Sequence, residues 1–176
     1  MNPDGRPGVQ EMSFDAQRID FSDKRRGYGE LAQALAGLLT GERDRIANAA
    51  NTSALLFGSL PAINWAGFYF LSGPSGRELV VGPFQGKPAC VRIAFGSGVC
   101  GRAAADRQTI VVPDVHAFPG HITCDAASRS EIVVPLLRAG RLLGVLDVDS
   151  PELARFDAAD QAGLERLAQI FLDASD

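Results

Sequence analysis

Three cysteines lie far apart in this 176-residue chain, each in a different setting. Cys90 opens an expected strand, where a cysteine most often serves as a small buried hydrophobe. Cys100 follows Gly96-Ser-Gly-Val at the expected start of a helix. The helix dipole favours a thiolate there, so the spacing predicts a lowered thiol pKa. Cys124 falls within His121-Ile-Thr-Cys-Asp125 of a long irregular stretch, near solvent or a ligand. His121 either helps to ionise it or is an ordinary surface histidine. His121-x-x-Cys124 with two distant cysteines could make up four zinc ligands. Structural zinc sites, however, use close ligand pairs, and the chain has no C-x-x-C. Thiols brought together by folding for redox chemistry fit this scatter better, and no metal is expected.

The acids form a second group. Asp147 and Asp149 end an apolar strand, Leu146-Asp-Val-Asp-Ser150, and a spacing of two turns both side chains to one face. Carboxylates about 7 Å apart on an apolar sheet repel each other and lose water, which raises a pKa and lets one hold a proton. Equally, strand-end aspartates can meet solvent and cap a turn. Glu131 begins the expected partner strand. A plain two-residue hairpin over Ala139-Gly140 would pair it with Val148 and turn it away from both aspartates. Convergence of all three acids requires a three-residue loop, a bulge, or Glu131 lying just outside the strand. Trp65 and Tyr69, four apart in an expected strand with Gly67 between them, share a face as a pocket wall or as ordinary core. Ala66, Phe68 and Phe70 take the other face.

These residues need elements to hold them. Leu31, Ala34, Leu35, Leu38 and Leu39 follow helical spacing from near Tyr28. A second helix runs from Glu42 to Leu60, with Ile46, Ala49, Ala50, Ser53, Phe57 and Leu60 on its inner face and Pro61 at its end. Strands follow at 64–71, 78–84 and 90–95, then a short helix at 99–107 and a strand at 109–112. Residues 113–129 form a long loop, of a kind usually functional or mobile. A hairpin of 132–138 and 141–149 leads to a last helix, 157–173, whose stripe is Leu164, Leu167, Ala168, Phe171 and Leu172. That order predicts one α+β domain, a central antiparallel sheet of about six strands with helices packed on one face. The domain spans residues 27–176, and 1–26, poor in apolar residues, reads as a flexible leader.

Composition limits the functions open to the chain. Apolar residues make up 46% and charged residues 22%, enough for a real core without disulfide staples. The net charge of −4 offers no basic patch for nucleic acid. No apolar run of about 20 residues predicts a membrane span, and no signal peptide is evident, so the expected location is cytoplasmic. Structural disulfides are rare in that compartment, so the cysteines need another explanation.

The strings NWAGFYF, LVVGPFQGKPACVRI, GSGVCG, DVHAFPGHITCDAASRSEIVVPL and GVLDVDS resemble the free methionine-R-sulfoxide reductases, which are GAF-domain enzymes. The resemblance covers about Asn64 to Ser150, and the flanking helices fit a GAF fold. It implies that Cys124 is the nucleophile and that Cys100 and Cys90 are the resolving thiols, in an order left open. It implies that Glu131, Asp147 and Asp149 hold the substrate's ammonium and sulfoxide, and that Trp65 and Tyr69 enclose its side chain. It further implies a sulfenic acid, a disulfide reduced by thioredoxin, a homodimer, and no cofactor. The competing expectation is a GAF domain that binds a small molecule or senses redox state without turnover.

Overall fold

The computed structural model describes residues 19–72, 76–120 and 125–176. Helices α1 (Lys24–Leu38) and α2 (Arg45–Ser59) precede strands β1 (Trp65–Ser72), β2 (Glu78–Gly86) and β3 (Arg92–Ala94). Helix α3 (Gly98–Asp106) and β4 (Ile110–Val112) follow, then the hairpin β5 (Ser130–Arg138) and β6 (Arg141–Ser150), and finally α4 (Ala158–Ala174). The six strands form one antiparallel sheet in the order β3-β2-β1-β6-β5-β4. The first strand is therefore central, between β2 and the distant β6.

Alternation along the strands builds two cores. Ala66, Phe68, Phe70, Ile132, Val134, Leu136, Leu146 and Val148 pack with α1, α2 and α4. Trp65, Tyr69, Val133 and Val145 face the other way and pack with Val99, Cys100, Ala103 and Ala104 of α3. Three helices thus lie on one face, as expected. The fourth, α3, covers the other face, where Trp65 and Tyr69 of β1, Val133 of β5 and Val145 of β6 are apolar and need a cover.

Several details differ from the sequence expectation. The first helix begins at Lys24, inside the segment assigned to the leader, with the Asp23 side chain accepting from Arg26 N as its cap. Lys24 ion-pairs with Asp157 and with fully buried Asp160, which also binds Tyr28 and Arg155. A charged run that looked like tail therefore fastens α1 to α4, and Gly163 leaves the space that the Tyr28 ring fills. Residues 1–18 lie outside the described residues. The inner face of α2 is corrected in part: Ala49, Ser53 and Leu60 are buried as expected, Ile46, Ala50 and Phe57 are exposed, and Asn48 and Thr52 are buried as well. Thr52 Oγ1 donates to Asn48 O one turn back, and Ser53 Oγ to Ala49 O and to Pro83 O of β2. The expected stripe was therefore right at three positions and wrong at three. The third strand is shorter than expected, so Cys90 precedes it rather than opening it.

Candidate active site

Convergence of the acids is settled by one extra residue in the hairpin. Ala139 and Gly140 take positive φ of 48° and 76°, a two-residue turn matched to strand twist. Arg138 pairs with Arg141 and Leu137 with Leu142, but Leu136 pairs with Gly144. Leu143 is thus the extra residue of a bulge, one of the three devices that convergence required. Beyond it Glu131 lies opposite Asp149, and Val133 opposite Asp147. On the other side of β6, Asp149 pairs with Trp65 and Asp147 with Gly67. Side chains directly opposite each other share a face, so the three acids and two aromatics point the same way.

They meet in a cavity of about 40 Å³. Trp65, Tyr69 and Cys100 line it with the three acids. The Trp65 ring stacks on Tyr69 (centroids 5.9 Å apart) and on Phe84 (5.2 Å), and its Nε1 donates to Lys87 O. Gly67 makes this possible: a Cβ there would lie 2.7 Å from the Trp65 ring and 2.3 Å from Phe84 Cβ. Asp147 is only 6% exposed, and its Oδ1 has no hydrogen-bond partner among the described residues. Its Oδ2 accepts from the Cys100 thiol at 3.3 Å, and Glu131 Oε1 lies 4.0 Å from the same sulfur.

Electrostatics follow from this burial. Desolvation pushes the carboxyl pKa values of Glu131, Asp147 and Asp149 well above the usual range, and their mutual repulsion adds to it. Glu131 is the second cause, after burial, of the rise at Asp147. The expectation for Cys100 is overturned. Burial and the neighbouring Asp147 and Glu131 raise its thiol pKa, outweighing any help from the helix start. Cys100 is a buried free thiol, whereas Cys90 is half-buried and disulfide-bonded. Cys100, Glu131 and Asp147 are the one grouping among the described residues with ligand atoms close enough for a metal, within 4.8 Å of one another. The thiol–carboxyl hydrogen bond already satisfies two of those atoms.

Cys124 and His121, both singled out from the sequence, lie outside the described residues. Every other candidate residue except Cys90 lines the cavity. Several cavity residues escaped sequence reasoning. Asp125 is held by Lys87 (3.1 Å), by Asn64 Nδ2 (3.2 Å) and by Ala127 N (2.9 Å). Asn64 also donates to Ser128 Oγ, and Ser128 in turn hydrogen-bonds Asp149. The spacing Asp125-x-x-Ser128, a short turn directly after Cys124, was the signal available for them. The first turn of α3, Gly98 and Val99, completes the wall.

A GAF domain family model matches residues 54–174. The chain is 51% identical to the free methionine-R-sulfoxide reductase of Escherichia coli over 82% of its own length and 86% of that protein's. It is 43% identical to the enzyme of the same name from Saccharomyces cerevisiae, covering 88% of this chain and 91% of that one. The crystal structure of the Neisseria meningitidis free methionine-R-sulfoxide reductase in complex with its substrate superposes with a TM-score of 0.84 at 46% identity. That match covers 90% of this chain and 94% of the other. On fold, site and likeness together, the chain belongs to the GAF-domain family of free methionine-R-sulfoxide reductases.

Proposed function

We propose that this protein reduces free methionine-R-sulfoxide to methionine by thiol chemistry. The observation that carries the reading is the meeting of Glu131, Asp147 and Asp149 with Trp65 and Tyr69 around one cavity in a chain of this family. The Cys124 thiolate attacks the sulfoxide sulfur. A buried acid of the cluster gives its proton to the oxygen, which otherwise leaves poorly. Oxygen passes to Cys124 as a sulfenic acid, and methionine departs. A second thiol condenses with the sulfenic acid, releasing water and forming a disulfide. Cys90 is favoured for this step because it is disulfide-bonded while Cys100 remains a buried thiol of raised pKa. An external dithiol, thioredoxin, returns two electrons by exchange.

Use of the free amino acid follows from the same groups. The remaining carboxylates pair with an α-ammonium, which a residue within a peptide lacks. Lys87 and the amides of the first turn of α3 are the available donors for the α-carboxylate among the described residues. The stacked Trp65 and Tyr69 enclose the apolar end of the substrate. We further propose a cytoplasmic homodimer. Ile46 and Phe57, exposed on α2, are apolar anchors for it, and sedimentation tests it.

Trapping the protein after a single turnover tests the thiol assignment. The expected product has Cys90 and Cys124 in one disulfide and Cys100 open to alkylation after unfolding. Cys124→Ser is expected to lose turnover entirely with an unchanged circular dichroism spectrum. Full activity in that variant would refute the assignment.

A further inference from the structure

Reduction of the disulfide at Cys90 requires electrons from outside the chain, and the surface beside Cys90 indicates where they enter. Val91, its direct neighbour, is 64% exposed, the most exposed of the large apolar side chains among the described residues. It leads into β3, the outermost strand on that side of the sheet, whose middle residue Ile93 is buried while Arg92 and Ala94 are exposed. The Val91 carbonyl accepts from Val81 N, so the backbone of this extended segment is anchored inward while its side chain stands in solvent. Pro88 is also exposed. The half-buried Cys90 thus sits beside one exposed apolar side chain at a sheet edge, with exposed Lys87 and Arg92 flanking the segment. The fully buried Cys100 has no such approach.

We infer that Val91 and the outer edge of β3 form the docking surface for a protein dithiol reductant. The inference rests on the function proposed above but concerns the surface rather than the chemistry of the sulfoxide. The partner's thiolate attacks the Cys90 sulfur, forms a mixed disulfide and releases the other cysteine of this chain as a thiolate. The partner's second thiol then displaces Cys90. Two electrons and two protons pass to this chain, and the partner leaves as a disulfide. An apolar anchor with an extended backbone edge beside it suits a partner that lays its own extended segment across the attacked disulfide. Small thiols need no such surface.

The test compares two reductants on oxidised protein with no sulfoxide present, so it stands whether or not the protein turns over that substrate. Thiol release is followed with reduced thioredoxin and, separately, with dithiothreitol, for wild type, Val91→Asp and Val91→Lys. Loss of one buried valine contact predicts a fall of about tenfold in the rate constant with thioredoxin for both variants. The dithiothreitol rates stay within about twofold of wild type. Equal rates with thioredoxin for all three proteins would overturn the inference. So would opposite effects of Asp and Lys, which would mark general electrostatics instead of contact. Parallel losses with both reductants would also overturn it, by placing Val91 in the support of the disulfide.

Discussion

At the scale of single residues, the site pairs chemistry with instability. Asp147 is buried, its carboxyl pKa is pushed well above the usual range by desolvation, and one of its oxygens is unpartnered among the described residues. Such a group weakens the fold and is retained where function needs it. Asp147→Asn keeps an oxygen for the Cys100 thiol and removes the charge. It is expected to raise the melting temperature of the substrate-free protein by a few degrees while cutting kcat/KM by about 100-fold or more. Calorimetry and steady-state kinetics on one preparation check both halves. A variant that loses neither activity nor affinity would remove Asp147 from the site. The sequence made the acid pair legible through its spacing of two. It misled on Cys100, because position at a helix start says nothing about the carboxylates that the sheet brings against the sulfur.

Among the elements, β1 and β6 do the positioning, and backbone proximity does the rest. Gly67 is where the Trp65 ring and Phe84 close over β1. Gly67→Ala forces them apart and is expected to cost about 1–3 kcal/mol of stability. It should raise KM more than it lowers kcat, because the wall moves while the thiols do not. Denaturant unfolding and a KM measurement test this, and an unchanged KM would make the aromatics core packing rather than pocket. Strand alternation was plain in the sequence: Trp65 and Tyr69 fall on one face and Phe68 and Phe70 on the other, as their types demand. The bulge at Leu143 could be named only as a condition. Nothing local to Leu142-Leu143-Gly144 announces it; the register follows from burying Ile132, Val134, Leu136, Leu146 and Val148 together. The inner face of α2 was read only in part for a similar reason, since Asn48 is buried through partners distant in sequence, Ala174 O and Ser175 Oγ.

For the whole molecule, two sets of acids set opposing pH dependences. The carboxyls of Glu131, Asp147 and Asp149 are raised, so their contribution is fully present below the unfolded value of about 4 and is lost as pH rises through their folded values. Asp157 is depressed to about 2, chiefly by its Lys24 partner. Its contribution is present above about pH 4 and is lost as pH falls toward 2, and it is small because the side chain is half-exposed. Stability of the substrate-free protein is therefore expected to peak in mildly acidic solution and to fall toward neutral pH. Asp147→Asn should flatten the neutral limb, and Lys24→Met, which removes the chief cause of the Asp157 shift, should flatten the acid limb. Melting temperatures from pH 3 to 8 read both, and a neutral limb identical in wild type and Asp147→Asn would contradict the cluster's part in it. The single α+β domain was legible from element order alone. Its attachment to the Asp23–Arg26 run was not, because Lys24 finds Asp160 only once α1 packs on α4.

The central claim is that this cavity accepts one epimer of one free amino acid. Reduced protein with dithiothreitol is given free methionine-R-sulfoxide, free methionine-S-sulfoxide, or a peptide blocked at both ends that carries the sulfoxide, and methionine formation is followed over time. Methionine from the free R epimer alone, with the S epimer and the peptide untouched, is the predicted result. No turnover of the free R epimer, or equal reduction of the peptide, would contradict the account.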